Sequence, residues 1–338
     1  MNTILAIPLP ARLVVLFVLG AVVASFINLG VYRLAWRQRW LSPWTPAAEG
    51  AAGRRWSDRV PIYGWWLLKR ESHLHGHGFW IRPLLVELVT GLAFVGLYLW
   101  EVAWNNPHSL MLDVPLPRLD FLSGNLQLVL HMKYLAHLVL LCLMLVASLI
   151  DIDEKTIPDA ITVTGALVGL LLAAVYPWSL PTADEWLVKD TRHVEFLTFV
   201  SPNPWPDAFG GLPHLLPLCA ALGCWTLWCV GLLPRRWNTR RGLTTAVRVF
   251  FHRLRVERVT YGILAMWVVG GGAIKLAAWQ APAPHWAALF SALVGLAAGG
   301  GLIWIVRIIG SAVLRREAMG FGDVTLMAMI GKIGRAHV

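Results

Sequence analysis

The chain is 338 residues long, 57% hydrophobic and only 14% charged, with a mean hydropathy of +0.61, which excludes an ordinary soluble domain. A formal charge of +10 would suit a nucleic-acid partner, but the charge is gathered in particular segments between apolar runs, as membrane topology requires, so no nucleic acid is expected. Runs of about 20 apolar residues cross a bilayer as helices, whereas barrel strands would be shorter and alternating.

The expected fold class is an all-α polytopic membrane protein with about seven to eight transmembrane helices. In chain order the spans lie near 11–31, 84–104, 127–150, 161–180, 215–233, 260–279 and 286–309, with a last one beginning near Val324. The first is followed by no small-residue cleavage site and reads as a retained helix, not a signal peptide. Segment 32–83 holds nine Lys/Arg against three acids, and 235–256 holds seven Arg and no acid. By contrast 105–125 has only Arg118, and 181–214 only Lys189 and Arg192. The positive-inside rule puts the first pair in the cytoplasm and the amino terminus outside. Continued alternation puts 151–160 and 310–323 on the cytoplasmic side too.

Between the spans, Trp44–Arg55 reads as a flexible part of the first cytoplasmic loop, and 181–214 as an irregular extracytoplasmic loop. The run Arg235–Arg255 includes Val247, Phe250, Phe251 and Leu254, a spacing compatible with an amphipathic helix on membrane lipids. Its plainer reading, a topology-setting loop, is preferred. Cys142, Cys219, Cys224 and Cys229 all fall in apolar spans without a CxxC spacing, so neither a disulfide nor a zinc framework is expected from them.

Ionisable groups near membrane depth are costly and therefore informative. The third span ends in Leu149-Ile150-Asp151-Ile152-Asp153-Glu154, followed by Lys155-Thr156-Ile157-Pro158-Asp159. Asp151 thus stands where an apolar helix meets the cytoplasmic interface, while Pro158 and Asp159 start the next helix, with Asp159 as a cap. The second site is Gly320-Phe321-Gly322-Asp323, followed directly by an apolar run. Its two glycines let the backbone bend closely against a neighbour. Either aspartate alone is commonly an interfacial residue or a cap. Two carboxylates on one membrane face can instead share a proton, one activating water and the other polarising a carbonyl, without metal or nucleophilic serine.

These residues resemble the type IV prepilin peptidases, membrane aspartyl proteases with a GxGD signature. The likeness rests on Met319–Asp323 with the preceding Arg316-Glu317, on the Gly-rich Leu293–Gly300, and on Asp151 seven residues before an Ile-Pro-Asp segment, with Asp153 as the alternative. Ala24–Leu34, Asp58–Trp65 and Arg82–Gly91 are similar to the family's first helix, loop end and second helix. Asn28 and Glu87 are polar residues within spans and rank as packing or site-support residues. The resemblance implies catalytic Asp151 and Asp323, supported by Gly320, Gly322 and Pro158. It also implies cleavage after a Gly, at the cytoplasmic face of the bacterial inner membrane, of leader peptides on prepilins or type II secretion pseudopilins.

Three departures qualify it. Bifunctional relatives have paired CxxC motifs in the first cytoplasmic loop, and this loop has no cysteine. His73, His75 and His77 on a Gly-containing loop read as exposed and unliganded, so no zinc is expected. S-adenosylmethionine-dependent N-methylation is not expected to accompany cleavage either, and proteolysis itself needs no cofactor. Second, about 100 residues, roughly 181–283, are inserted between the two catalytic helices and add a helix hairpin with a basic loop. Third, Lys332–Val338 resembles a translated sequencing adapter, so a non-native tail from about Ile333 on a longer native protein is expected. The expected organisation is therefore 1–105 (first helix, cysteine-free loop, second helix), 106–180 (helices with the first Asp), 181–283 (insertion), 284–332 (helix and GxGD segment) and 333–338 (tail). A proton-coupled transporter and an idle membrane scaffold are the rival classes, and the position of both aspartates near an interface and not mid-span speaks against the transporter.

Overall fold

Lipid offers no partner to a free backbone N–H or C=O, so apolar runs of bilayer length close their hydrogen bonds within themselves as helices. A computed structural model describes residues 7–36, 41–47, 49–103, 116–176, 182–188, 191–196, 215–233, 248, 252, 254–314 and 319–331, of which 103, 116–130, 182–188, 191–196 and 283–284 are described by backbone alone. The principal helices are α1 (Leu9–Leu34), α2 (Ile81–Tyr98), α3 (Leu116–Glu154), α4 (Asp159–Val175), α5 (Leu215–Leu232), α6 (Arg258–Gln280), α7 (Ala283–Leu314) and α8 (Phe321–Gly331). Six of them contain segments long and apolar enough to span a bilayer, and α4 and α8 are shorter apolar helices. The protein is thus an all-α polytopic membrane protein. The one departure among the described residues is a two-stranded hairpin, β1 (Thr182–Val188) and β2 (Thr191–Phe196), inside the stretch expected to be irregular. The basic segment Arg235–Arg255, for which a topology-setting loop is preferred to an amphipathic helix, falls almost wholly outside the described residues, while the Arg316-Glu317 pair and the 333–338 tail lie wholly outside them.

The chain divides into two compact units, one of residues 1–165 and 184–194, the other of 166–183 and 195–338. In the first, α1 lies closely along α2. Ala21, Ala24, Ser25, Asn28, Val31 and Tyr32 of α1 are buried, a stripe at three- and four-residue spacing. Two glycines set the approach. A Cβ on Gly20 would stand 2.9 Å from the Gly91 Cα, and one on Gly91 would stand 3.0 Å from the Phe17 carbonyl oxygen. Beyond Tyr98, α2 continues as a π-helical turn, Leu99–Ala103, whose buried Glu101 pairs with His137 of α3. Phe94, Tyr98 and Val102 pack there with Tyr134 and Leu138.

The loop after α1 is irregular but anchored, contrary to the flexible reading of Trp44–Arg55. Ser42 and Thr45 are buried, and Arg54 pairs with the buried Glu71. Four short helical segments follow, Trp56–Arg59, Tyr63–Leu67, Leu68–Glu71 and Ser72–His75, and the second and third seat Trp65 and Leu68 against Tyr32.

In the second unit, α7 packs chiefly on α8 and also on α5, which pairs with α6. At the α7/α8 crossing a Cβ on Gly299 would stand 2.7 Å from the Met327 carbonyl oxygen, and one on Gly331 would overlap that of Gly295. Between α5 and α6, the Trp225 indole N–H donates to the Trp267 carbonyl at 3.0 Å, and the Trp267 indole N–H to the Thr226 hydroxyl at 2.9 Å. These bonds satisfy polar groups that lipid would leave bare.

Candidate active site

Asp151 stands in the last turn of α3. The helix stops three residues later because Lys155 takes a left-handed conformation, φ 54°, with its N–H donating to the Asp151 carbonyl at 2.7 Å. Thr156 and Ile157 lead to Pro158, whose carbonyl accepts the Ile161 N–H at 3.0 Å. Asp159 is therefore the first helical residue of α4 and Pro158 holds the cap position, one place from the expected cap. Proline suits a position that leads into a helix because it has no N–H to lose. The acid at the first turn still favours the positive end of the helix dipole.

The three acids at the end of α3 have different surroundings. Asp153 is paired with Arg82 of α2, which also donates to the Leu149 carbonyl at 2.9 Å. Glu154 accepts the backbone N–H of Trp36. No hydrogen bond or ion pair among the described residues engages the half-buried Asp151 carboxylate. Asp153 and Glu154 line a cavity of about 410 Å³ with Val31, Tyr32, Ala35, Trp36 and Thr156.

Asp323 is the third residue of α8, and its carboxylate likewise has no hydrogen bond or ion pair among the described residues. The expected glycine-driven bend takes a different form. Gly320 has no left-handed φ, and Phe321, Gly322 and Asp323 are already helical. The Gly322 carbonyl accepts the Thr325 hydroxyl at 3.0 Å. Close helix approach is the work of Gly299 and Gly331 farther along, while the start of α8 is held from α7. There the Arg307 Nε–H donates to the Met319 carbonyl at 2.9 Å, and its guanidinium lies 5.6 Å from the Phe321 ring centroid. Sequence reasoning passed over Arg307. The signal was available, since α7 has no other Lys, Arg, Asp or Glu and a lone charge in an apolar helix is informative. Asp151 and Asp323 belong to different compact units.

Two buried carboxylates support the first unit. Glu87 of α2 is fully buried and accepts the Ser25 hydroxyl at 2.6 Å, the Trp65 indole N–H at 2.9 Å, and the backbone N–H of Ile62. The Asn28 amide donates to the Pro83 carbonyl at 3.0 Å and more distantly to Glu87. Glu87 and Asn28 thus tie α1, α2 and the loop together, as the helix-packing reading of them expects. Ile62 has φ 65° and ψ −59°, and the Tyr63 N–H reaches the Pro61 carbonyl at 2.7 Å. That geometry is a strained γ-turn, held in place by the bond from its central amide to Glu87.

Asp58, also fully buried, takes both guanidinium arms of Arg70, at 2.9 and 2.6 Å, and the Arg55 N–H at 2.7 Å. The Arg70 hydrogen bonds hold its carboxyl below the usual carboxylate range. Of the loop histidines, His73 contacts the Arg70 carbonyl at 3.1 Å, while His75 lies 3.7 Å from Glu71 and packs on Phe79. Among the described residues no group of three or more His, Cys, Asp or Glu is arranged to hold a metal ion.

Comparison with known proteins gives a partial match to one family model and to two relatives. Residues 18–101 match the model of the Bacterial Peptidase A24 N-terminal domain. The chain is similar to a "Prepilin leader peptidase/N-methyltransferase" of Myxococcus xanthus (strain DK1622), 27% identical over 164 residues, which are 48% of this chain and 41% of that protein. A protein of the same name from Neisseria gonorrhoeae is 29% identical over 203 residues, 51% of this chain and 66% of the relative. The chain covers less than two thirds of either relative's length. No solved structure matches it. Together these matches show a likeness to prepilin leader peptidases over part of the chain.

Proposed function

We propose that this protein is a membrane aspartic endopeptidase that removes leader peptides from type IV prepilins or type II secretion pseudopilins at the cytoplasmic face of the inner membrane. Asp151 and Asp323 are its catalytic dyad. The observation that carries the assignment is the contrast at the end of α3. Asp153 is consumed by Arg82, whereas Asp151 has its carboxylate free among the described residues. Asp323 has the same freedom at the head of α8. The relatives' names speak for processing of prepilins, and their other named activity, N-methyl transfer, is not assigned to this chain because its first loop lacks cysteines.

In the proposed reaction the two carboxyls share one proton. The ionised member draws a proton from water as the oxygen attacks the scissile carbonyl, and the protonated member donates to the carbonyl oxygen. Collapse returns a proton to the leaving amine, releasing leader and mature amino terminus.

The test uses full-length protein in membranes with a prepilin substrate. Asp151→Asn and Asp323→Asn should each lower cleavage by about 1,000-fold or more, with membrane insertion retained and Asp153→Asn losing less than about tenfold. Chelator should leave cleavage intact. Undiminished cleavage by Asp323→Asn would remove the dyad reading, and a methylated product amino terminus made by this protein alone would overturn the exclusion of methyl transfer.

A further inference from the structure

A guanidinium inside an apolar helix is expensive, so a chain retains one where its donors are satisfied and its placement matters. Arg307 is the only Lys, Arg, Asp or Glu of α7, and two of its contacts fall on the approach to α8. Its Nε–H goes to the Met319 carbonyl at 2.9 Å, and its guanidinium carbon lies over the Phe321 ring, 5.6 Å from the centroid. One contact falls immediately before Gly320 and the other between Gly320 and Gly322. Both therefore grip the segment that delivers Asp323 to the head of α8.

That segment needs an external hold. Gly320 and Gly322 have no side chains with which to fix their own backbone, and glycine has the widest conformational freedom. The Thr325 hydroxyl secures the Gly322 carbonyl from within α8, and the Met319 carbonyl on the upstream side takes the Arg307 Nε–H from α7. A reacting carboxylate must be fixed to a fraction of an ångström, because small misplacements are costly in rate. Arginine alone among the cations offers a directed N–H and a flat face at once. Lysine could reach the carbonyl or the ring, but it has no planar fork with which to hold both.

We infer that Arg307 is a positioning residue for Asp323, acting through the Met319 carbonyl and the Phe321 ring. The inference rests on the reading of Asp323 as catalytic. Its role is felt in turnover and not in substrate affinity, since it holds the reacting carboxylate rather than the peptide.

Steady-state cleavage by the full-length protein in detergent tests this with Arg307→Gln, Arg307→Lys and Phe321→Leu, and with Asp323→Asn as reference. Arg307→Gln should lower kcat on the order of 10- to 100-fold with KM within about twofold. Arg307→Lys should recover part of the loss, and Phe321→Leu, which leaves Arg307 in place but removes its stacking surface, should lower kcat by a smaller factor, again at constant KM. Thermal unfolding of each variant reports on fold. Should Arg307→Gln not accumulate, the Lys and Leu variants decide. Parental kcat in Arg307→Gln, or a loss confined to KM, overturns the inference while Asp323→Asn remains inactive. Cleavage by Asp323→Asn would instead strike the catalytic reading beneath it.

Discussion

The fully buried Asp58 shows how a single carboxylate organises the loop between α1 and α2 in this chain. Two arms of Arg70 and one backbone N–H satisfy it, so the charged form is favoured and its folded pKa lies below the unfolded value, which is about 3.9. The sign follows from that depression. Its contribution to stability is full above the unfolded value and is lost as pH falls through the folded one. Asp58→Asn should therefore destabilise the loop at neutral pH by about 2 kcal/mol, less than the loss of a wholly dry pair because Arg70 is partly exposed. Thermal unfolding in detergent should show parent and variant converging below about pH 4. A gap that stays constant down to strongly acid pH would mean that Asp58 is not ionised in the folded state.

At the level of elements, glycine sets how closely the helices meet. Gly299 faces backbone of α8, which cannot move aside, whereas Gly301, two residues on, has nothing within 4 Å of a would-be Cβ. Gly299→Ala should then cost about 1–3 kcal/mol by forcing α7 and α8 apart, and should reduce cleavage because α8 begins with the Asp323 turn. Gly301→Ala should be nearly neutral on both counts, and equal melting points for the two variants would refute the crossing. The helices themselves were legible in the sequence, since about 20 apolar residues have no other way to cross lipid. So was the rank of Glu87 and Asn28, polar groups that a span must satisfy. Their partners were not legible, because Trp65 and Ile62 reach Glu87 only through a strained turn whose conformation no local preference favours. The strand pair 182–196 escaped for a related reason: its register is fixed by pairing between chain segments, not by a run of apolar residues. Arg307 was readable as a lone charge, but its carbonyl and ring partners follow from how α7 meets the start of α8.

For the whole molecule, the sequence of spans must deliver both aspartates to one side of the membrane if they are to act together. Bias in Lys and Arg supplies that constraint. Segment 32–83 has nine basic residues and 235–256 has seven, whereas 181–214 has two. Reading the helices in order with the first loop inside, α3 returns to the cytoplasm at Asp151, α4 leaves it, α5 returns before the basic segment, and α6 and α7 lead out and back to Asp323. The weakest link in this count is α4, whose 17 residues extend about 25 Å at 1.5 Å per residue, slightly short of a hydrocarbon core of about 30 Å. A short span is accommodated by local thinning of the bilayer or by flanking residues, and the Leu- and Ala-rich sequence of α4 leaves it no favourable alternative in water. Reporter fusions distinguish the outcomes. A fusion after Arg241 should read as cytoplasmic, and one after Asp190 as external. If α4 fails to cross, the fusion after Asp190 reads as cytoplasmic and the parity of every later span changes, placing Asp323 on the face opposite Asp151.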